Sequence, residues 1–180
     1  MACAVRVFAR RGIGAARHAE VAAEAGVAVP TVFAYFPSRE ALVRGVLQEV
    51  DRFLSEMIET AIGEGGSASD TLLRITRAFA EAVESHADTV KVWLGWSTAI
   101  QDEIWPLYED FQRRVISAFA AVVREGQARG ELDAELDAET AAYLVVGSAH
   151  MIAQMRFTKR DPEGLQRYLE TVIHGALHQR

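Results

Sequence analysis

Apolar residues recur at three- and four-residue spacing along nearly the whole chain, and β-branched runs are short. That spacing is the signature of amphipathic helices, so an all-α protein is predicted. Val5 and Phe8 mark a first helix over Ala2–Arg11, ended by Gly12 and Gly14. A second short helix is predicted over His18–Ala25, stopped by Gly26, and a third over Val29–Phe36. A long fourth helix begins after Pro37 with Ser38 as N-cap, although the acidic third residue of a capping box is missing. It runs to about Ile62 on the stripe Leu42, Val46, Val50, Phe53, Leu54, Met57 and Ile58. The segment GEGGSASD (Gly63–Asp70) reads as a linker between an N-terminal module and the rest. Further helices are predicted over Ser69–Ser85, Ala87–Ile100, Ile104–Ala128, Asp137–Thr158 and, opened by Asp161-Pro162, up to His178. The expectation is about nine helices in two modules, residues 1–45 and 46–180.

Composition narrows the class. With 180 residues, half of them hydrophobic, the chain can bury a core. A single cysteine excludes a disulfide framework, and Cys3 is expected to be a small core residue. No apolar run reaches the length of a membrane span, and the arginine-containing start lacks signal-peptide architecture, so a cytoplasmic protein is expected. The net charge of −6 argues against a nucleic-acid partner until it is divided. Residues 1–45 carry six arginines against three glutamates, a balance of +3, and the remainder carries −9. The positive charge therefore lies on the first module.

That module contains three short helices, the second and third joined by the tight turn Gly26-Val27-Ala28. A short helix, a glycine turn and another short helix form the helix-turn-helix pattern, which presents one helix to the major groove. Ala22, Val27, Val32 and Phe36 are expected in its core.

The segment from His18 to Leu47 resembles the DNA-binding segment of the TetR family of transcriptional regulators. The resemblance rests on Ala22, Ala25-Gly26-Val27, Thr31, Tyr35-Phe36, and Arg39-Glu40 with the leucine that follows, Leu42. It is similar in particular to the vibrio-type quorum-sensing master regulators (the LuxR/HapR type). FARRGIG (Phe8–Gly14), TVFAYFPSREALV (Thr31–Val43) and KVWLGWSTAIQDEIWPL (Lys91–Leu107) carry that narrower likeness.

The resemblance implies an N-terminal helix-turn-helix domain and a C-terminal helical domain for ligand binding and dimerisation. It implies double-stranded operator DNA as partner, read as an imperfect palindrome by a homodimer. His18, Thr31, Tyr35 and Arg39 would approach backbone phosphates, while Pro30 and Ala34 lie on the recognition helix. Ala34 replaces an asparagine that reads a base in that branch, and it can offer only apolar contact, for instance to a thymine methyl. Pro30 at the first turn removes little backbone bonding. The branch carries a basic arm before its first helix. Here Met1 falls almost at the helix start, so weak non-specific binding is expected of the chain.

In the second module the resemblance implies a small apolar ligand against Leu54, Met57, Trp93, Tyr108, Gln112, Val115, Phe119 and Ala149. Trp93, Trp96 and Ile100 share a helical face and read equally as core. The last two helices would form the dimer interface through Gly147, Met151, Leu169 and Ile173, a pattern equally compatible with internal core. No cofactor, metal site or enzymatic motif is expected, and the i, i+4 pair His174 and His178 reads as exposed histidines at a helix end. Two alternatives stay open on sequence alone. One is a ligand-released repressor of transport or metabolic genes; the other is a helical dimer that binds a small molecule or protein without DNA.

Overall fold

The computed structural model describes residues 1–100, 103–158 and 162–177. Their regular structure is entirely helical: α1 (Ala2–Arg11), α2 (His18–Ala25), α3 (Val29–Tyr35), α4 (Arg39–Gly63), α5 (Ala68–Ser85), α6 (Ala87–Ser97), α7 (Trp105–Ala128), α8 (Ala138–Gly147), α9 (Ala149–Thr158) and α10 (Pro162–Leu177). Ser38 caps α4 as expected, its Oγ accepting the Ala41 N–H at 3.1 Å, and Asp137 caps α8 by accepting the Thr140 N–H at 2.6 Å. The helix predicted over 137–158 is interrupted only at Ser148, whose own backbone angles are helical. The Ser148 hydroxyl donates to the Val145 carbonyl at 2.6 Å, a local competition that loosens a helix. Joined through Ser148, the elements make the nine helical segments expected of an all-α chain. The predicted C-terminus at His178, one member of the His174–His178 pair, and Asp161 lie outside the described residues, while His174 is in the last turn of α10.

The described residues group into two compact units, each built from two stretches of the chain. The first comprises residues 1–54 and 86–109. In it α1 packs against both α2 and α6, and α2 against α3. Val7, Phe8, Val21, Ala22, Leu42, Val46 and Trp96 are its buried apolar centre. Trp96 meets Tyr108 edge-to-face at 5.5 Å and donates its indole N–H to the Ile104 carbonyl at 3.3 Å. Here α6 is shorter than predicted. The Ser97 and Thr98 hydroxyls both donate to the Leu94 carbonyl and close the last turn. Ile100 therefore leaves the face it was expected to share with Trp93 and Trp96, and it is exposed.

The second unit comprises residues 55–85 and those from 110 onward. There α5 packs on α9 and α10, and α10 on α8. The expected linker at 63–70 is instead a pinned turn within this unit. Arg74 donates to the carbonyls of Ala61 (2.6 Å) and Gly65 (2.7 Å), and Glu131 accepts the Ala68 N–H at the start of α5 (2.8 Å). Glycine and serine composition alone does not distinguish a spacer from a turn that long side chains tie down. No helix of the described residues is long and apolar enough to cross a membrane.

Candidate nucleic-acid interface

Gly26 closes α2 in the left-handed region (φ 67°, ψ 30°), which only glycine adopts without strain. The Val27 N–H then reaches back to the Ala22 carbonyl at 3.0 Å, so the chain reverses within two residues and enters α3. Val32 is the buried anchor of α3, and Phe36, half-buried, follows its end. Gly45 on α4 admits the Phe36 ring: a Cβ there would lie 2.7 Å from Phe36 Cε1.

The outward side of this motif is set by helical geometry. Residues four apart share a face, so α3 presents Val29 with Phe33, Pro30 with Ala34, and Thr31 with Tyr35. All six are exposed, Tyr35 most of all at 78%. Val27, expected in the core, is 42% exposed in the turn beside them. A turn residue points away from the helices it joins, and apolar character alone did not show that. Pro30, Thr31, Ala34 and Tyr35 thus stand together on one accessible helix.

His18 and Arg39 do not simply join that surface. The His18 imidazole is 6% exposed, bonds the Phe36 carbonyl through Nε2 at 2.8 Å, and stacks flat on Phe33 at 4.0 Å. This corrects the expectation of a His18 side chain offered to phosphate, because its ring is spent in holding the C-terminal part of α3. Arg39 donates through Nη2 to the carbonyls of Ile13 and Gly14, both at 2.9 Å. Arg17, not singled out from the sequence, donates through Nη1 to the same Gly14 carbonyl at 3.1 Å. Two guanidiniums at the N-termini of α2 and α4 therefore converge on one loop carbonyl. Helix N-termini carry partial positive charge, so such a place favours an anion.

The remaining basic charge is distributed differently from its sequence count. Arg6 and Arg10 both bind Glu24, at 2.7 and 2.6 Å, and Arg11 binds Glu20 at 2.6 Å. Hydrogen bonds from Arg10 and then Arg6 hold the Glu24 carboxyl below its usual pKa. The α1 arginines thus brace α1 to α2. Cys3 belongs to the same cluster: it is half-buried rather than core, and its Sγ accepts from Arg6 at 3.2 Å. Glu20 also accepts the Arg17 N–H at 3.2 Å, which stabilises the start of α2.

The other expected site residues divide between the units. Leu54, Trp93 and Tyr108 are buried in the first; Val115 and Phe119 are buried in the second, with Met57, Gln112 and Ala149 half-buried. Burial raises the pKa of the Tyr108 hydroxyl, opposed by a hydrogen bond with Ser97. Of the expected dimer residues, Gly147 and Met151 are exposed, but Leu169 (3%) and Ile173 (5%) are internal core of the second unit. Those two are therefore corrected from interface to core. The outward row on α8 and α9 runs instead through Tyr143, Leu144, Gly147, His150, Met151, Gln154 and Phe157.

Comparisons with known proteins agree with this architecture. Residues 1–46 match the family described as bacterial regulatory proteins, tetR family, and residues 62–172 match the tetracyclin repressor-like C-terminal domain. The HTH-type transcriptional regulator LuxR of Vibrio harveyi is 38% identical over 164 residues, 91% of this chain and 80% of that protein. A TetR-family regulator from Rhodococcus sp. superposes with a TM-score of 0.84 at 20% identity, over 98% of this chain and 95% of the other. FadR from Bacillus subtilis, solved with stearoyl-CoA, gives 0.80 at 18% identity, covering 98% and 95% of the two chains. The chain belongs to the TetR family of bacterial regulatory proteins and is a DNA-binding, helix-turn-helix transcriptional regulator.

Proposed function

We propose that this regulator acts as a cytoplasmic homodimer of the quorum-sensing master-regulator type, in which two copies of α3 read an imperfect palindrome. One observation carries the reading. A short helix with an exposed outer face is locked at its C-terminal part by His18 and flanked by the Arg17–Arg39 pair. The 38% identity to the Vibrio harveyi regulator supports the quorum-sensing branch. Thr31 and Tyr35 would donate hydroxyls to backbone phosphates, Arg39 would add charge, and Arg17 joins it. His18 acts through positioning. Pro30 and Ala34 face the base edges. Residues 1–45 supply the DNA module and 46–180 the regulatory and dimerisation functions, with a transcriptional rather than catalytic role.

Dimerisation runs along α8 and α9, through Gly147 and Met151 with Tyr143, Leu144 and Phe157, at the one long exposed apolar row of the second unit's described residues. A dimer sets two recognition helices about 34 Å apart, matched to successive major grooves. The test is a gel shift on promoter fragments carrying palindromes, titrated with salt. Binding that weakens steeply with salt is the expected result; absent or salt-independent binding by the full chain overturns the reading.

A second reading, release from DNA by a small apolar ligand, is favoured by the stearoyl-CoA bound to the similarly folded FadR. Met57, Gln112, Val115, Phe119 and Ala149, all of the second unit, are the side chains proposed to contact such a ligand. Loss of the gel shift on adding long-chain acyl-CoA would select it over control by protein abundance.

A further inference from the structure

The outer surface of α3 sorts into three adjacent strips: Val29/Phe33, Pro30/Ala34 and Thr31/Tyr35. Two strips are wholly apolar and only the third carries hydroxyls. Bidentate reading of guanine takes arginine or lysine, bidentate reading of adenine takes asparagine or glutamine, and cytosine is read by a carboxylate. α3 is VPTVFAY and has none of these side chains, while a hydroxyl such as that of Thr31 makes a single bond that does not by itself tell the bases apart. The turn before it adds only Gly26, Val27 and Ala28. The guanidiniums of Arg17 and Arg39, at the starts of α2 and α4, are held on carbonyls of the loop between α1 and α2.

The apolar strips are also preorganised. Phe33 lies flat on the His18 ring, with 1° between the planes, and His18 is itself fastened to Phe36. Phe33 remains 45% exposed, so a fixed aromatic surface faces outward beside the Ala34 methyl and the Pro30 ring. An apolar side chain has one complementary feature in the major groove, the C5-methyl of thymine.

We propose that this regulator discriminates its operator chiefly through thymine methyl groups, packed against Val29, Pro30, Phe33 and Ala34, rather than through hydrogen bonds to base edges. The inference rests on the DNA-binding role given above. Its ligand is a half-site in which thymines stand at the positions under the Pro30/Ala34 and Val29/Phe33 strips. DNA shape supplies the remaining selectivity, and Thr31 and Tyr35 fix register on the phosphates.

The first arm of the test alters the DNA and leaves the protein unchanged. A duplex is recovered from a random-sequence pool by the full chain, and its thymidines are replaced one step at a time, in both half-sites, by deoxyuridine. This removes the methyl and leaves base pairing and phosphates unchanged. Burial of one methyl corresponds to roughly fourfold in affinity, so a symmetric pair of replacements should weaken binding by roughly fifteenfold at the contacted steps. Removal of the methyl on the protein side, Ala34→Gly, should abolish the uridine sensitivity at one of those steps, whereas Ala34→Asn should shift the recovered sequences toward adenine there. If the recovered duplex binds but no replacement changes its affinity, the methyl readout is overturned while DNA binding stands. If the pool yields no duplex at all, the DNA-binding reading itself fails.

Discussion

Two exposed apolar surfaces, one in each unit, show how the same property is put to different use. The helix α3 is seven residues long and carries Pro30 in its first turn. It is held by polar bonds to backbone, those of His18 to Phe36 and of Arg39 to Ile13 and Gly14. The outer row of α8 and α9 extends over two ten-residue helices, and these rest on an apolar layer that includes Ala141, Ala142, Val145, Ile152 and Ala153. A short face locked by directional bonds and flanked by guanidiniums suits a charged partner of fixed shape. A long exposed row of Tyr143, Leu144, Met151 and Phe157 suits a second copy of itself, because a symmetric contact buries the same row from both sides. Exposure of apolar area marks a site, and the support beneath it says which kind.

The largest expected effect tests the second surface. Met151→Asp would place a charge in a buried symmetric contact twice, at a cost of about 3 kcal/mol or more in dimer stability. Sedimentation should show monomer at concentrations where the parent is dimeric, and operator binding should fall with it. A still-dimeric Met151→Asp protein would place the interface elsewhere.

Next comes the charged flank of the first surface. Arg39→Ala should weaken binding to every DNA sequence by about 10- to 100-fold, the range for a charged hydrogen bond, and lower the salt slope by about 1. Tyr35→Phe, which loses one neutral hydrogen bond, should cost only about fivefold. Both proteins should remain dimers by sedimentation, which separates this surface from the one on α8 and α9. Parental DNA binding by both would remove α3 from the interface.

A smaller effect concerns the turn that aims α3. Gly26→Ala forces a side chain into the left-handed region, costing about 1–2 kcal/mol. Thermal melting should show the loss. Gly147→Ala, at an open position with nothing within 4 Å of a new Cβ, should leave the fold's stability nearly unchanged while weakening the dimer.

The smallest effect is acid sensitivity. The Glu24 pKa is lowered in the folded chain by Arg10 and Arg6, so its stabilising contribution is present above the ordinary carboxylate range. It is lost as pH falls through the lowered value. Glu24→Gln should therefore flatten the melting temperature between pH 5 and lower values relative to the parent, and a parallel pair of curves would show that the cluster adds no stability.

Much of the fold was legible because helix ends are local events. Gly12, Gly26 and Gly130 take positive φ where α1, α2 and α7 stop or turn, and Ser38 and Asp137 cap the helices they precede. Other features required side chains distant in sequence. The turn at 63–70 reads as a spacer until Arg74 and Glu131 are seen holding it. Leu169 and Ile173 have the same apolar spacing as an interface, and only packing against neighbouring helices makes them core. Arg17 carried no distinguishing pattern, since its role depends on sharing the Gly14 carbonyl with Arg39, over twenty residues away.

Periodicity, glycine placement and charge division thus determined by themselves an all-α chain with a basic helix-turn-helix module at its start, because each depends on neighbours within a turn or two of backbone. Tertiary structure alone decided which apolar residues face out and which cations remain at the surface. It turned His18 inward as a clamp, drew Arg6, Arg10 and Arg11 onto glutamates, and left Val27, Phe33 and Met151 exposed. The physical reason is that burial and ion pairing are properties of surfaces brought together by folding, and a residue's own chemistry does not specify what will cover it.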